Sequence, residues 1–424
     1  MTQTVATPVV NSTDATIAEL WEQLDPVFDD ILASAPTRDA AGGIDTAPVE
    51  KLRAAGFTRL RVPQAYGGYG LSLPQAYTFF VALAAADSNL AQALRAHWSF
   101  VEDVLSRTDE HAAFIHRWLT RLGAGDIIGN AITERGNAHG TTATRLTHHD
   151  GQWKLDGTKY YSTGTGYADW IAVAATGDDD EPVSLALPAD ASGVHIVDDW
   201  DGFGQRLTAS GTTTFSDVTV DATEIFPAGL GLESGDRTAY GQAAWQTVHL
   251  ATLVGIAKAV LRDGTAYVQS RTRTFSHGAA GTVRYDPQVL QLLGELSAQV
   301  AGIETIFHAI PPVLAEHFAA DAAGDQVPEA AIDELYAQVY QAQQVIAPVT
   351  LEVATKIFEV GGASATSQAR AFDRHWRNAR VLASHNPLIY RARILGDYLV
   401  NGVSPERKYT VGQAESSRPG SGSS

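Results

Sequence analysis

The chain has no cysteine, which excludes disulfides, thiolate nucleophiles and thiolate metal ligands and agrees with a cytoplasmic setting. Cations are also scarce. Against 48 Asp and Glu stand only 30 Lys and Arg, a formal net charge of −18. Nucleic acid and anionic membranes are therefore poor partners, because phosphate neutralisation needs clustered Lys and Arg. No uninterrupted apolar run approaches the ~18–20 residues that cross a bilayer. No basic-then-apolar leader opens the sequence either, so a secretory signal is not expected. Three familiar site signatures are missing as well. There is no Gly-x-Gly-x-x-Gly after a strand, no Gly-x-x-x-x-Gly-Lys-Ser/Thr phosphate loop and no Gly-x-Ser-x-Gly nucleophile turn. His139, His148 and His149 are near one another but lack a His-x-x-x-His or carboxylate partner, so no metal site is expected. Asp178-Asp179-Asp180-Glu181 reads as a solvated turn.

What is present is an ordinary globular composition, long enough for two or three domains. From residue 15 to 124 the signal is helical. Ile17, Leu20, Trp21, Leu24, Val27, Phe28 and Ile31 recur at three- and four-residue steps, and Leu83, Leu90, Leu94 and Val101 continue the pattern. Val62-Pro63 and Gly67-Gly68 interrupt it. From 125 to 230 the chain reads as strands separated by turn dipeptides such as Asp150-Gly151 and Asp156-Gly157. From 235 to 405 long helices return, with Pro311-Pro312 as a break and Pro348 marking the middle of another helix. Residues 1–14 and 415–424 are Ser/Gly/Pro-rich or polar and are expected to be disordered. No short-period repeat is present. The expected fold is α+β, with an N-terminal helical domain, a central antiparallel β-barrel and a C-terminal four-helix bundle.

Three polar segments interrupt this apolar framework. They are Gly129 to Asn137, Asp156 to Gly164, and His375-Trp376-Arg377-Asn378-Ala379-Arg380 running on to Ser384-His385-Asn386-Pro387. Arg370, Arg374, His375, Arg377 and Arg380 form a basic stretch that either holds an anion or pairs with carboxylates.

Ala131-Ile132-Thr133-Glu134 followed by Asp156 to Thr163 resembles the paired β-domain signatures of the acyl-CoA dehydrogenase family. Arg271-Thr272-Arg273-Thr274-Phe275 resembles its phosphate-contacting segment, and Phe358-Glu359-Val360-Gly361-Gly362 its glycine pair, which approaches the flavin of a neighbouring subunit. Asp199 to Arg206, Ser210-Gly211-Thr212, Phe372 to Arg380, His385-Asn386-Pro387 and Asn401-Gly402 narrow the likeness. They are similar to the monooxygenase branch that contains dibenzothiophene monooxygenase and the oxidoreductases of bacterial sulfur acquisition.

The resemblance implies a two-component enzyme that uses FMN as FMNH2, with O2, to oxygenate a small organosulfur compound through a flavin hydroperoxide. An NAD(P)H-dependent flavin reductase would supply the FMNH2, FAD being the less expected flavin, and the enzyme would be a homotetramer. It places Asn130, Ala131, Ile132, Thr133, Glu134, Lys159, Tyr160, Tyr161, Ser162 and Thr163 around the flavin, with Trp200, Ser210, Arg273, Ala363, Ser364 and His385. His385, Asn130 and Thr163 are the expected catalytic hydrogen-bonding groups, and Arg273 the expected phosphate partner. His97, Trp98 and Phe203 are expected to line the substrate pocket. Departures at Ala96, Thr163 and Ser364, where relatives carry an aromatic residue, a serine and an arginine, imply a reshaped pocket.

A dehydrogenase of this family needs a general base to remove a proton alpha to a thioester carbonyl, usually a glutamate. Beyond Arg377-Asn378-Ala379-Arg380 the next acid is Asp397, about four or five helical turns away. In the stretch from Ala244 to Arg271 the only acid is Asp263. His385-Asn386-Pro387 lies where the base would be, which favours oxygenation over dehydrogenation. An N-oxygenase of the same fold, an FAD-dependent acyl-CoA dehydrogenase and a flavinless structural protein remain the alternatives.

Overall fold

The computed structural model describes residues 14–106, 111–137, 141–227 and 240–407. The histidine at 139 and most of the two expected disordered ends lie outside them, although residue 14 already belongs to a helix.

Six helices form the N-terminal part: α1 (Asp14–Ala41), α2 (Ala47–Ala54), α3 (Leu73–Ala86), α4 (Ser88–Ala93), α5 (Arg95–Leu105) and α6 (Ala112–Ala124). On α1, Leu20, Leu24, Phe28 and Ile31 are buried, one face of the helix as its periodicity predicts. A reciprocal cap starts α3, where the Ser72 hydroxyl accepts from the Gln75 amide and the Gln75 side chain accepts from the Ser72 amide. Asp87 then ends α3 and caps α4 by accepting from the Asn89 amide at 2.9 Å. The same carboxylate is paired with Arg38 of α1 at 2.6 Å.

Seven strands follow: β1 (Ile128–Ala131), β2 (Arg145–His149), β3 (Gln152–Lys159), β4 (Trp170–Thr176), β5 (Pro182–Pro188), β6 (Val194–Val197) and β7 (Thr212–Val220). Their order is β1-β4-β2-β3-β7-β6, with β5 also on β4. The expected antiparallel barrel needs correction on two points. The sheet is mixed, because β4 runs parallel to β1 and to the end of β2. The long excursion between β1 and β4 supplies the crossover that a parallel pair requires. Among the described residues β6 pairs only with β7, so the sheet is a half-barrel around its own core of Leu146, Leu155, Ile171, Val173, Leu185 and Phe215.

The C-terminal part holds α7 (Gly241–Ser270), α8 (Pro287–His308), α9 (Ile310–Ala322), α10 (Glu329–Lys356), α11 (Asp373–Ala383) and α12 (Leu388–Asn401). Pro311-Pro312 sits in the first turn of α9, where proline's missing N–H costs nothing. Pro348 does not stop α10; Ile346, Ala347, Thr350 and Val353 around it are buried, and α10 packs on α7. Helix α7 is long and apolar enough to span a membrane by length and composition, yet 83% of its most apolar window is buried in protein. It is the central strut of the fold. It packs on α3, α4 and α5 on one side and on α8, α10 and α11 on the other. Gly255 permits this crowding, since a Cβ there would come within 2.4 Å of Ala84 on α3. The two helical parts therefore share one hydrophobic core.

Candidate active site

Strand β1 sits between the two cores. Ala131 belongs to the sheet core and Ile128 to the helical one, so the two-residue period turns Asn130 toward the helices. Asn130 is buried, and its Oδ1 has no hydrogen-bond partner. Its amide donates to the carbonyl of Thr163 at 3.4 Å. The Thr163 hydroxyl shares a hydrogen bond with Ser210 at 2.9 Å, and Ser210 with Thr208 at 2.7 Å, all three buried. Ser162, alongside, is fully buried with an unpartnered hydroxyl. Buried polar atoms are normally satisfied. Asn130 Oδ1 and Ser162 Oγ thus mark where a polar ligand would complete the structure.

The loop carrying Thr163 is held in an unusual path. Tyr161 adopts φ 58°, uncommon for a side chain with a Cβ. Gly164 follows at φ 83°, and a Cβ there would meet the Ala93 carbonyl at 2.4 Å. Thr163 is thereby pinned against the junction of α4 and α5.

Two residues past Ala93, Arg95 opens a second cluster. Its guanidinium lies 5.1 Å from the ring centre of Trp245 on α7, and Arg95 is buried. His249, one turn along α7 from Trp245, is also buried, and its Nε2 has no partner. Its ring centre is 4.2 Å from that of His385, at 54° between planes. His385 follows α11 in a turn closed by its amide donating to the Leu382 carbonyl. The next side chain, Asn386, donates to Gln246 Oε1 on α7, and Gln343 of α10 donates to the same atom at 2.9 Å. That buried amide trio fixes the His385 turn. The His385 side chain is exposed to solvent, with one face of its ring against the buried His249.

Both imidazoles are neutral at pH 7. Burial, then the Arg95 charge, pushes His385 down to about 3 against the opposing hydrogen bond of Asn386. Burial, then His385 and Arg95, holds His249 well below the ordinary histidine value. Among the described residues no carboxylate acts on either ring. Asp263, the only acid of α7, is engaged elsewhere, by Arg374 and His375 at 2.8 Å each. Burial pushes it up, but His375 and then Arg262 and Arg374 hold it well below the usual carboxylate range. The basic stretch thus resolves toward carboxylate pairing: Arg374 and His375 meet Asp263, and Arg377 meets Asp39 and Asp373.

Several sequence-selected residues have other partners. Glu134 and Lys159 are bound to each other at 2.6 Å, with Thr144 and Ala143 donating to the same carboxylate. Burial raises the Glu134 carboxyl, but Lys159 and these donors hold it at about 2. Ala131 faces the sheet core, the Ile132 carbonyl accepts from Lys159, and the Thr133 carbonyl accepts from the Tyr160 amide. His97 was expected at the substrate, but both its nitrogens are used by backbone. Nε2 donates to the Thr58 carbonyl at 2.8 Å and Nδ1 accepts from the Ile128 amide at 3.4 Å. Trp98 is wedged among Phe57, Tyr77 and Phe80 in the helical core. Phe203 is 55% exposed and stacks on Trp376 at 6.0 Å. Trp200 donates to the Gly204 carbonyl and meets Tyr161 edge-on. Arg135 lies over Tyr160 and Tyr161, at 4.6 and 4.7 Å.

Arg273, Ala363 and Ser364 form a third, exposed group. Arg271 donates to the Val360 carbonyl at 2.6 Å, and Phe275 lies beside Gly362, so the two segments are neighbours. Gly361 fits only without a side chain, since a Cβ would come within 2.4 Å of the Tyr267 ring.

The domain profiles of acyl-CoA dehydrogenases match this chain in order: the N-terminal domain over residues 19–126, the middle domain over 130–218 and the C-terminal domain over 247–388. The chain belongs to the acyl-CoA dehydrogenase family. Within that family it is similar to a dibenzothiophene monooxygenase of Rhodococcus erythropolis, with 28% identity over 400 residues, 89% of this chain and 92% of that protein. Among solved structures it resembles the methanesulfinate monooxygenase MsuC of Pseudomonas fluorescens, at 26% identity and TM-score 0.82, covering 91% of this chain and 98% of that one. FMN-bound TdsC of Paenibacillus sp. A11-2 matches equally, at 26% identity and TM-score 0.82, covering 92% and 99%. The likeness to the monooxygenase branch read from the motifs is borne out.

Proposed function

We propose that the chain is a flavin-dependent monooxygenase using FMNH2 and O2 to oxygenate a small organosulfur compound. The observation that carries this reading is the neutral His385 imidazole standing where a dehydrogenase of this fold needs a carboxylate, while Asp263 is tied to Arg374 and His375. The monooxygenase relatives support it. The residues present suit a flavin. Asn130 Oδ1 offers an acceptor to a ring N–H, and the Thr163, Ser210 and Ser162 hydroxyls offer further bonds. Arg273 would meet the phosphate as a charge-assisted pair. Bound FMNH2 would supply the two electrons with which one oxygen atom of O2 enters the substrate and the other leaves as water.

The chain's own part is to orient, dry and protonate. Trp200 and Tyr161, edge-on to each other, would supply aromatic surface near Thr163 from which a bound flavin helps exclude water. A neutral, solvent-accessible His385 can donate or accept one proton. The exposed position of Arg273, Ala363 and Ser364 supports a site completed by a second subunit. Ile389, Tyr390, Leu399 and Val400 on α12 are 58% exposed or more, an apolar face suited to burial in a homotetramer. An NAD(P)H-dependent flavin reductase would deliver the FMNH2. The test supplies photoreduced FMN and O2 with thioethers, sulfones and sulfinates and weighs the products by mass. An added oxygen atom is expected; none across the panel overturns the sulfur assignment.

A further inference from the structure

We infer that Thr208 is a positioning residue for the flavin. It sets the direction in which the buried hydroxyl chain Thr163–Ser210–Thr208 donates, so that Thr163 meets a bound ring as a hydrogen-bond acceptor and the site selects reduced over oxidised flavin. This rests on the flavin reading above and names what chooses the redox state at that site. Thr208 itself falls between the sequence motifs Asp199 to Arg206 and Ser210-Gly211-Thr212.

The direction follows from counting protons. A hydroxyl has one proton to donate and two lone pairs, whereas a peptide carbonyl can only accept. Thr208 Oγ1 donates to the Gln205 carbonyl at 2.9 Å, and Gln205 is 2% exposed, so that carbonyl has little water to turn to. With its one proton engaged, Thr208 accepts from Ser210 across 2.7 Å. Ser210 in turn accepts from Thr163 across 2.9 Å. Thr163 is left with lone pairs alone. The opposite direction is poorer. It strands the Gln205 carbonyl and turns the Thr163 proton toward the Tyr161 carbonyl at 3.4 Å, which the Thr163 amide already serves at 2.8 Å.

The anchor of the chain is held firmly. Gln205 sits at φ 52°, and its amide donates to Asn378 Oδ1 at 2.7 Å. Helix α11 approaches so closely that a Cβ on Gly204 would meet the Arg377 carbonyl at 2.3 Å. A carbonyl fixed by α11 thus decides what Thr163, between β3 and β4, can offer.

Asn130 points the same way. Its buried Oδ1 has no partner, and its amide donates to the Thr163 carbonyl, so a second acceptor belongs to the same cluster. A ring that brings an N–H to such a cluster is bonded. A ring that brings a bare nitrogen sets lone pair against lone pair. Two-electron reduction places N–H groups on a flavin ring where the oxidised form has bare nitrogens, so the polarity of the chain matches FMNH2.

Anaerobic titration of the full-length protein with FMN and with photoreduced FMN tests this without turnover. The wild type is expected to bind FMNH2 at least ~10-fold more tightly than FMN. Thr208→Val keeps the shape but removes the link, freeing Ser210 to donate to Thr163 and Thr163 to donate to the ring. The ratio of the two affinities should then fall ~10-fold, which lowers the midpoint potential of the bound flavin by about 30 mV. Thr208→Ser, which keeps the hydroxyl, should restore it. Ser210→Ala breaks the chain one link nearer and should lower the ratio alike, with Thr208→Val adding nothing on top of it. A role in packing alone would weaken both flavins equally and leave the potential unmoved. Thermal melting checks that each variant is folded. A wild-type ratio near one, or folded Thr208→Val and Ser210→Ala proteins that keep the wild-type ratio, overturns the inference. Binding of neither flavin by the wild type sinks the flavin reading and this inference with it. Selective FMNH2 binding without oxygenated product sinks the oxygenase reading alone.

Discussion

His97 and His375 on one side, His249 and His385 on the other, are two pairs of imidazoles with opposite fates. Burial pushes His97 and His375 to about 4 and His385 to about 3, and holds His249 far down too. Lowered basicity therefore separates nothing. Hydrogen bonding does. His97 spends both nitrogens on backbone, and His375 donates to Asp263 at 2.8 Å. His249 keeps Nε2 unpartnered, and His385 is open to solvent. The lesson is that a histidine's unused valence, rather than its burial or perturbed proton affinity, points to chemistry.

The sharpest way to break this comparison is to remove one histidine from each pair. His385→Ala should lower kcat by ~10²–10³-fold, the usual worth of a positioned acid–base group, with melting almost unchanged. Product formation with saturating FMNH2, beside a calorimetric melt, checks it. Asp263→Ala should instead cost about 3–5 kcal/mol of stability, because the buried Arg374 is left uncompensated. Urea unfolding measures that loss. His97→Leu should cost ~2 kcal/mol, by stranding the Thr58 carbonyl and the Ile128 amide, with activity per folded molecule preserved.

Acid sharpens the contrast further. An unfolded histidine takes a proton below ~6.5 that the buried His97 and His375 refuse until about 4. The unfolded chain then binds more protons, so stability falls as pH drops from 6.5 toward 4. Glu134, depressed to about 2, adds stability that is complete above the ordinary carboxyl value and lost as pH falls from ~4.5 toward 2. Melting temperature against pH should therefore decline in two stages, and His97→Gln should flatten the first one only. The smallest effect is expected at Phe203, an exposed ring stacked on Trp376. Phe203→Ala should change stability by no more than ~0.5 kcal/mol.

Much of this organisation was legible in sequence because it is local. The α1 stripe through Leu20, Leu24, Phe28 and Ile31, and the break at Pro311-Pro312, follow from periodicity and the proline ring. The motif comparison located Asn130, Thr163 and Ser210, which do converge. The same comparison assigned Glu134 and Lys159 to the flavin but gave no hint that they are each other's ion-pair partners. Motif likeness records which residues recur without saying whom they touch. The parallel pairing of β1 with β4 was illegible because it joins strands about forty residues apart. Arg95 and His249 were missed for a related reason. Each sits singly on a different helix, and only the crossing of α5 with α7 makes them neighbours. One signal was available. Gln246 and His249 are polar residues within the apolar run Ala243 to Ala259 of a helix that otherwise reads as core.

The strut α7 also dictates how this molecule must assemble. Because it binds α3, α4 and α5 as well as α8 and α10, segments at opposite ends of the polypeptide complete a single cooperative block, with the sheet inserted between them. A ribosome-bound N-terminal third would expose the apolar faces of α3 and α5 until α7 emerges. Folding should therefore wait for late synthesis and proceed slowly, as expected where essential contacts join distant parts of a chain.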